Sequence, residues 1–178
     1  MTKEKAEKIA KEAGFSHWGF FEVSGLNFLP EVRAMCADGR CHMYNKSWAC
    51  PPACGTIEES INKTAPFKWG VLLQSTGNME DDFDVDVMLG TGTEHKKRLN
   101  KFISLIDKKE EFFPMGAGGC TICESCTYPD SPCQFPEKMI TSMEAYGLVV
   151  SEVCQLANVP YYYGPLTMTY TGCVLFKA

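Results

Sequence analysis

A chain of 178 residues, 45% hydrophobic and 22% charged, with a formal net charge of -5, has the composition of one globular domain, 1–178, and not of a disordered segment. The acidic balance, with Lys96-Lys97-Arg98 as the one compact basic run beyond the first helix, argues against nucleic-acid binding, and a solvated helix face accounts for that run. No apolar stretch approaches the roughly 20 residues of a membrane-spanning helix, and the opening MTKEKAEKIAKEAGF has neither an apolar secretion core nor a small-residue cleavage site, so the expected location is the cytoplasm.

In chain order, Thr2 caps a helix running to Ala13, with Ala6, Ile9, Ala10 and Ala13 on one face and Gly14 as its stop. His17 to Val23 is rich in strand-forming residues, and 67–73 has the same character. Pro30 opens a short helix that ends near Cys36, the stretch from Cys36 to Cys54 is loop, and Thr56 caps a helix beginning TIEESINKT. The acidic run EDDFDVD at 80–86 lacks the ligand order and closing Glu of a calcium loop and reads as a solvated loop or edge strand.

The pair Thr91 and Glu94 suits a capping box, and Leu99, Phe102, Ile103 and Ile106 form the core-facing stripe of the helix it opens. His95 is assigned to the polar side of that helix, exposed. From Pro114 the chain turns glycine-rich, Gly116-Ala117-Gly118-Gly119, either as a flexible turn or as a place where backbone N–H groups approach a metal centre. Pro136 opens a further helix with Met139, Met143 and Tyr146 on its apolar side, 148–159 is ambiguous between strand and helix, and 166–176 reads as a central strand. The expected architecture is therefore α/β or α+β: a small mixed sheet covered by helices, with long cysteine-bearing loops at one end holding two metal clusters.

Eight of the ten cysteines fall into two quartets, Cys36/Cys41/Cys50/Cys54 and Cys120/Cys123/Cys126/Cys133. In a reducing cytosol such density means metal more often than disulfide. Zinc sites usually draw on two separated pairs. The second quartet has a triplet at two-residue spacing with a fourth thiol farther on, the arrangement that wraps a cube of iron and sulfide. The first quartet, C-x4-C-x8-C-x3-C, is less specific; its Cys50-Pro51-Pro52-Ala53-Cys54 segment presents two sulfurs from a stiff loop, and zinc remains the rival to a second 4Fe-4S cluster there. His42 is a weaker substitute for a thiolate, and Tyr44 and Trp48 serve equally well as core or as walls against water. In two-cluster ferredoxins a fourth cysteine crosses to the other cluster, so Cys133 or Cys54 could do so here. Cys154 and Cys173 sit in apolar contexts and read as buried small hydrophobes.

At these residues the chain resembles the uncharacterised cysteine-rich family of predicted metal-binding proteins, a domain of unknown function common in anaerobic bacteria and archaea. The resemblance rests on Cys36-x4-Cys41, Ser47-Trp48-Ala49-Cys50-Pro51-Pro52, the Cys120, Cys123, Cys126 triplet, Cys133-x2-Pro136-Glu137, and Ser142-Met143-Glu144-Ala145-x-Gly147, which run across most of the chain. It implies metal binding through the cysteines and supplies no established reaction. Gln134 departs from the basic residue expected after the last cysteine. The opening AEKIAKEAGFSHWGFFEV is also similar to the start of cobalamin-dependent iron-sulfur reductases such as epoxyqueuosine reductase, which implies a corrinoid ligand or corrinoid-protein partner.

Three functional readings follow. Eight thiolates saturate two 4Fe-4S clusters, so the leading one is electron transfer to a redox partner protein in anaerobic metabolism. The second is an iron-sulfur reductase, with or without a corrinoid link, in which one cluster iron stays open to substrate. The third is a zinc-stabilised interaction module. No catalytic residue is assigned, because no Ser/His/Asp array, P-loop or paired-carboxylate motif is present.

Overall fold

The computed structural model describes residues 1–39 and 41–177. Helix α1, Lys3–Ala13, starts where the Thr2 hydroxyl accepts the Lys5 N–H at 3.2 Å and stops at Gly14, whose φ of 90° turns its N–H back onto the Ala10 and Lys11 carbonyls. Strand β1, His17–Glu22, follows, then α2, Pro30–Ala37. Helix α3, Ile57–Thr64, has a full capping box between Thr56 and Glu59. The remaining elements are β2, Trp69–Asn78; α4, Val85–Ser104; β3, Phe112–Met115; α5, Val150–Leu156; and β4, Thr167–Phe176.

The four strands form one sheet in the order β1-β2-β4-β3, antiparallel at each ladder, so the α+β branch of the expectation is met and the sheet is not mixed. Strand alternation divides the core in two. Val71 and Leu73 of β2 and Val174 and Phe176 of β4 face α1 and α4, packing with Ala6, Ile9, Ala10, Leu99 and Phe102. Leu72, Cys173 and Leu175 face the other way, onto Val153 and Cys154 of α5 and onto Met143 and Leu148. A strand covered on both sides reads as a continuous apolar run, which is why Val71-Leu72-Leu73 shows no polar alternation.

Three expectations fail here, each for a physical reason. His95 is fully buried, because positions 95, 99 and 102 lie on one helical stripe facing the sheet. Helix α4 begins at Val85, two turns before the Thr91 box, because the Asp84 carboxylate accepts the Val87 N–H at 3.0 Å and caps it there. No helix opens at Pro136. Instead the Gly116 N–H donates to Thr141 O at 2.9 Å and the Met143 N–H donates to Gly116 O at 3.2 Å, so the backbone after Cys133 is spent on the loop leaving β3, and only a 3-10 turn, Glu144–Tyr146, remains.

Strand β3 itself has no counterpart in the sequence reading. Its four residues pair with β4 and deliver the chain to the glycine-rich loop. No helix among the described residues is long and apolar enough to cross a membrane.

Candidate metal centre

The first quartet hangs between α2 and α3. Cys36 leaves from the last turn of α2, Cys41 lies exposed in the following turns, and Cys50 and Cys54 are buried in a tight segment. That segment is wound by backbone bonds: Cys50 N–H to Ser47 O at 3.1 Å, Cys54 N–H to Cys50 O at 3.1 Å, and Asn45 N–H to Pro51 O at 2.8 Å, which folds the preceding chain over it. Burial pushes the Cys50 thiol up to about 11, and the charges of Cys41, Cys54 and Cys36 add to the rise while the Ser47 hydroxyl opposes it. The Cys36 thiol is likewise raised, first by burial and then by Cys41 and Glu144. Burial also raises Cys54, where the Arg33 guanidinium acts in the opposite sense from 3.9 Å. Cys50 thus feels the charges of the other three thiols, which places the four in one electrostatic neighbourhood where a cation would favour its thiolate.

The second quartet follows β3. Desolvation raises the Cys123 thiol, and the charges of Cys120, Cys133 and Cys126 reinforce it, so these four also gather. A turn closes the group: Ser131 N–H donates to Thr127 O at 3.0 Å and the Thr127 hydroxyl to Pro132 O at 2.9 Å, bringing Cys133 back towards the triplet. Cys126 differs from the rest. Burial works against its thiolate, yet the backbone N–H groups of Tyr128 and Trp48, the Ser47 hydroxyl and the Thr127 N–H together hold the thiol below its usual range.

Two of those donors belong to the first loop, and the loops are fastened at further points. Trp48 Nε1–H donates to Ser131 O at 3.0 Å, the Tyr128 hydroxyl donates to Asn45 Oδ1 at 2.7 Å, and the two rings meet edge to face at 5.0 Å. From the helical layer, Lys96 of α4 donates to Gly119 O at 2.8 Å; burial lowers its pKa while the charges of Cys120 and Cys50 act in the opposite sense. A cavity of about 430 Å³ lies between the loops, lined by one thiol from each quartet, Cys54 and Cys133, with Trp48, Met139, Tyr146 and Lys63.

All eight predicted ligands thus stand in two groups, one on each loop. Among the described residues no three His, Cys, Asp or Glu side chains come close enough to hold a single metal ion. Cys154 and Cys173 lie fully buried in the core with free thiols, away from both loops. The sequence reading missed Arg33, Ser47 and Lys96 as neighbours of the thiols. For Lys96, assigned to a solvated face, no local signal existed, because its partner Gly119 is far along the chain; for Arg33, the signal was its position one helical turn before Cys36.

The family described as "Predicted metal-binding protein (DUF2284)" matches residues 20–176, a span that contains all eight of these cysteines. No curated protein and no solved structure matches the chain.

Proposed function

The chain belongs to this family of predicted metal-binding proteins, and from that premise we propose an iron-sulfur protein with two 4Fe-4S clusters that passes electrons to a redox partner in the cytoplasm. Cys36, Cys41, Cys50 and Cys54 would hold one cluster and Cys120, Cys123, Cys126 and Cys133 the other. The observation that carries this reading is the grouping of the thiols on two loops: Cys50 feels the charges of Cys41, Cys54 and Cys36, and Cys123 those of Cys120, Cys133 and Cys126. The second group adds three cysteines at two-residue spacing with a fourth farther on, the arrangement that wraps an iron-sulfide core, whereas zinc sites usually draw on two separated pairs.

A bound cluster supplies reversible one-electron chemistry at low potential. The residues of this chain set the conditions for it. The N–H groups of Tyr128, Trp48 and Thr127 and the Ser47 hydroxyl draw charge from Cys126 Sγ, and Arg33 does so at Cys54, each favouring the more negative, reduced state. Two full sets of thiolates leave no iron for substrate, which favours electron transfer over catalysis.

The cavity between the loops favours a second reading, an iron-sulfur reductase whose substrate lies between Cys54 and Cys133. Its volume suits a metabolite-sized molecule; a whole corrinoid is too large for it and would reside on a partner protein.

Anaerobic purification followed by assay of iron, acid-labile sulfide and zinc tests the proposal. Two clusters give about eight irons with matching sulfide; stoichiometric zinc without sulfide would sink it. Cys50→Ser and Cys123→Ser should each remove about half of the iron and leave the other half.

A further inference from the structure

Where β3 ends, the loop 116–119 closes one side of a small cavity of about 50 Å³. Helix α4 forms the opposite wall through Lys96 and Asn100, and Lys138 and Thr121 complete the polar lining. No carboxylate lines it, so in a chain of net charge -5 two ammonium groups share one cavity whose one acidic lining residue is Cys120. Neither lysine forms an ion pair among the described residues: Lys96 Nζ donates to Gly119 O at 2.8 Å, and Lys138 Nζ stands 5.2 Å from the centre of the Phe135 ring.

The loop contributes donors of its own. The N–H groups of Ala117, Gly118, Gly119 and Cys120 reach no backbone carbonyl among the described residues. Gly118 holds a φ of 67°, and nothing lies within 4 Å of the place a Cβ would take. Successive free N–H groups around a left-handed residue make a concavity that favours anions. Size then selects among anions, because a space of about 50 Å³ accommodates about three or four water centres. That is room for a small oxyanion and not for an aromatic acid or a nucleotide.

From this convergence of charge, free donors and size we propose that the cavity is a binding site for a free small oxyanion, from formate to phosphate in size. Cys120 also lines it, so the bound ion lies beside the second quartet. The side chains that charge the site, Lys96 and Lys138, are not among the predicted metal ligands.

Isothermal titration of the anaerobically purified full-length protein with sodium formate, sodium phosphate and sodium benzoate, in chloride buffer, tests the site. Saturable binding of formate or phosphate, with none of benzoate, is the expected result. Lys138→Met, at an exposed side chain, should weaken that binding about tenfold or more, since one charge-assisted hydrogen bond is lost; Lys96→Met should do the same, Lys138→Arg should retain it, and Lys108→Met should leave it unchanged. Melting temperature and iron content of the same samples separate a lost fold or a lost cluster from a lost site. A folded protein that binds neither formate nor phosphate, that binds benzoate equally, or whose Lys138→Met form binds as the parent does, overturns the proposal. Failure to bind in an iron-loaded protein leaves the cluster reading intact, and binding in a protein that carries stoichiometric zinc without sulfide sinks that reading alone.

Discussion

A histidine enclosed by apolar neighbours resists protonation, and His95 is held this way between α4 and the sheet. Its Nδ1 shares a hydrogen bond of 3.2 Å with the Ser75 hydroxyl, Phe15 packs edge-on against its ring, and Nε2 has no partner. Burial, with smaller contributions from Arg98 and Lys96, pulls its pKa down from 6.5 to about 4. The sign is fixed by which state binds more protons. Above pH 6.5 the ring is neutral in both states; between 6.5 and about 4 only the unfolded chain takes up the proton, so stability is lost as pH falls through that window. The loss amounts to about 3 kcal/mol. His95→Gln keeps a donor for Ser75 and removes the titration. Urea unfolding at pH 7 and pH 4.5 should therefore show a smaller acid loss in His95→Gln than in the parent, and parallel losses would refute the assignment.

Among the elements, the helices with strong local signals were legible and the loops were not. Thr2 with Gly14, Pro30 and Thr56 with Glu59 each satisfy helix ends from within a few residues, so α1, α2 and α3 could be read locally. The central β4 was legible from its run of strand formers. Strand β3 and the failed helix after Pro136 were not, because both depend on partners far along the chain: β4 for the one, Gly116 for the other. The same holds at the site. Spacing alone sorted the cysteines into quartets, whereas the contact between the two loops is tertiary, carried by Trp48 on Ser131 and Tyr128 on Asn45. That contact predicts that the two centres are protected together. Trp48→Ala removes the indole bond and the edge-to-face pair, about 1–2 kcal/mol of loop docking. In a protein carrying the two proposed clusters, iron release to a chelator should then quicken severalfold from both quartets, with Trp48→Phe falling between. Faster release from the first quartet alone would mean that the loops are not coupled.

At the scale of the whole molecule, the two cores and the two cysteine loops rest on different forces. Both core clusters are built from the sheet with α1, α4 and α5 and the segment around Met143, and of the ten cysteines they include only Cys154 and Cys173. The loops have little regular structure, and four thiols on each repel one another's charge. Metal binding contributes folding free energy only where the ligands are unordered without it. Removing the metal should accordingly loosen 41–55 and 117–142 and spare the sheet, unlike a zinc finger, whose entire fold depends on its ion. Hydrogen exchange read by mass spectrometry before and after chelation checks this: protection should fall in the two loops together and stay in β2, β4 and α4. Parallel loss of protection in β2 and β4 would show that the cores cannot stand without the metal, and unchanged loops would show that no metal orders them.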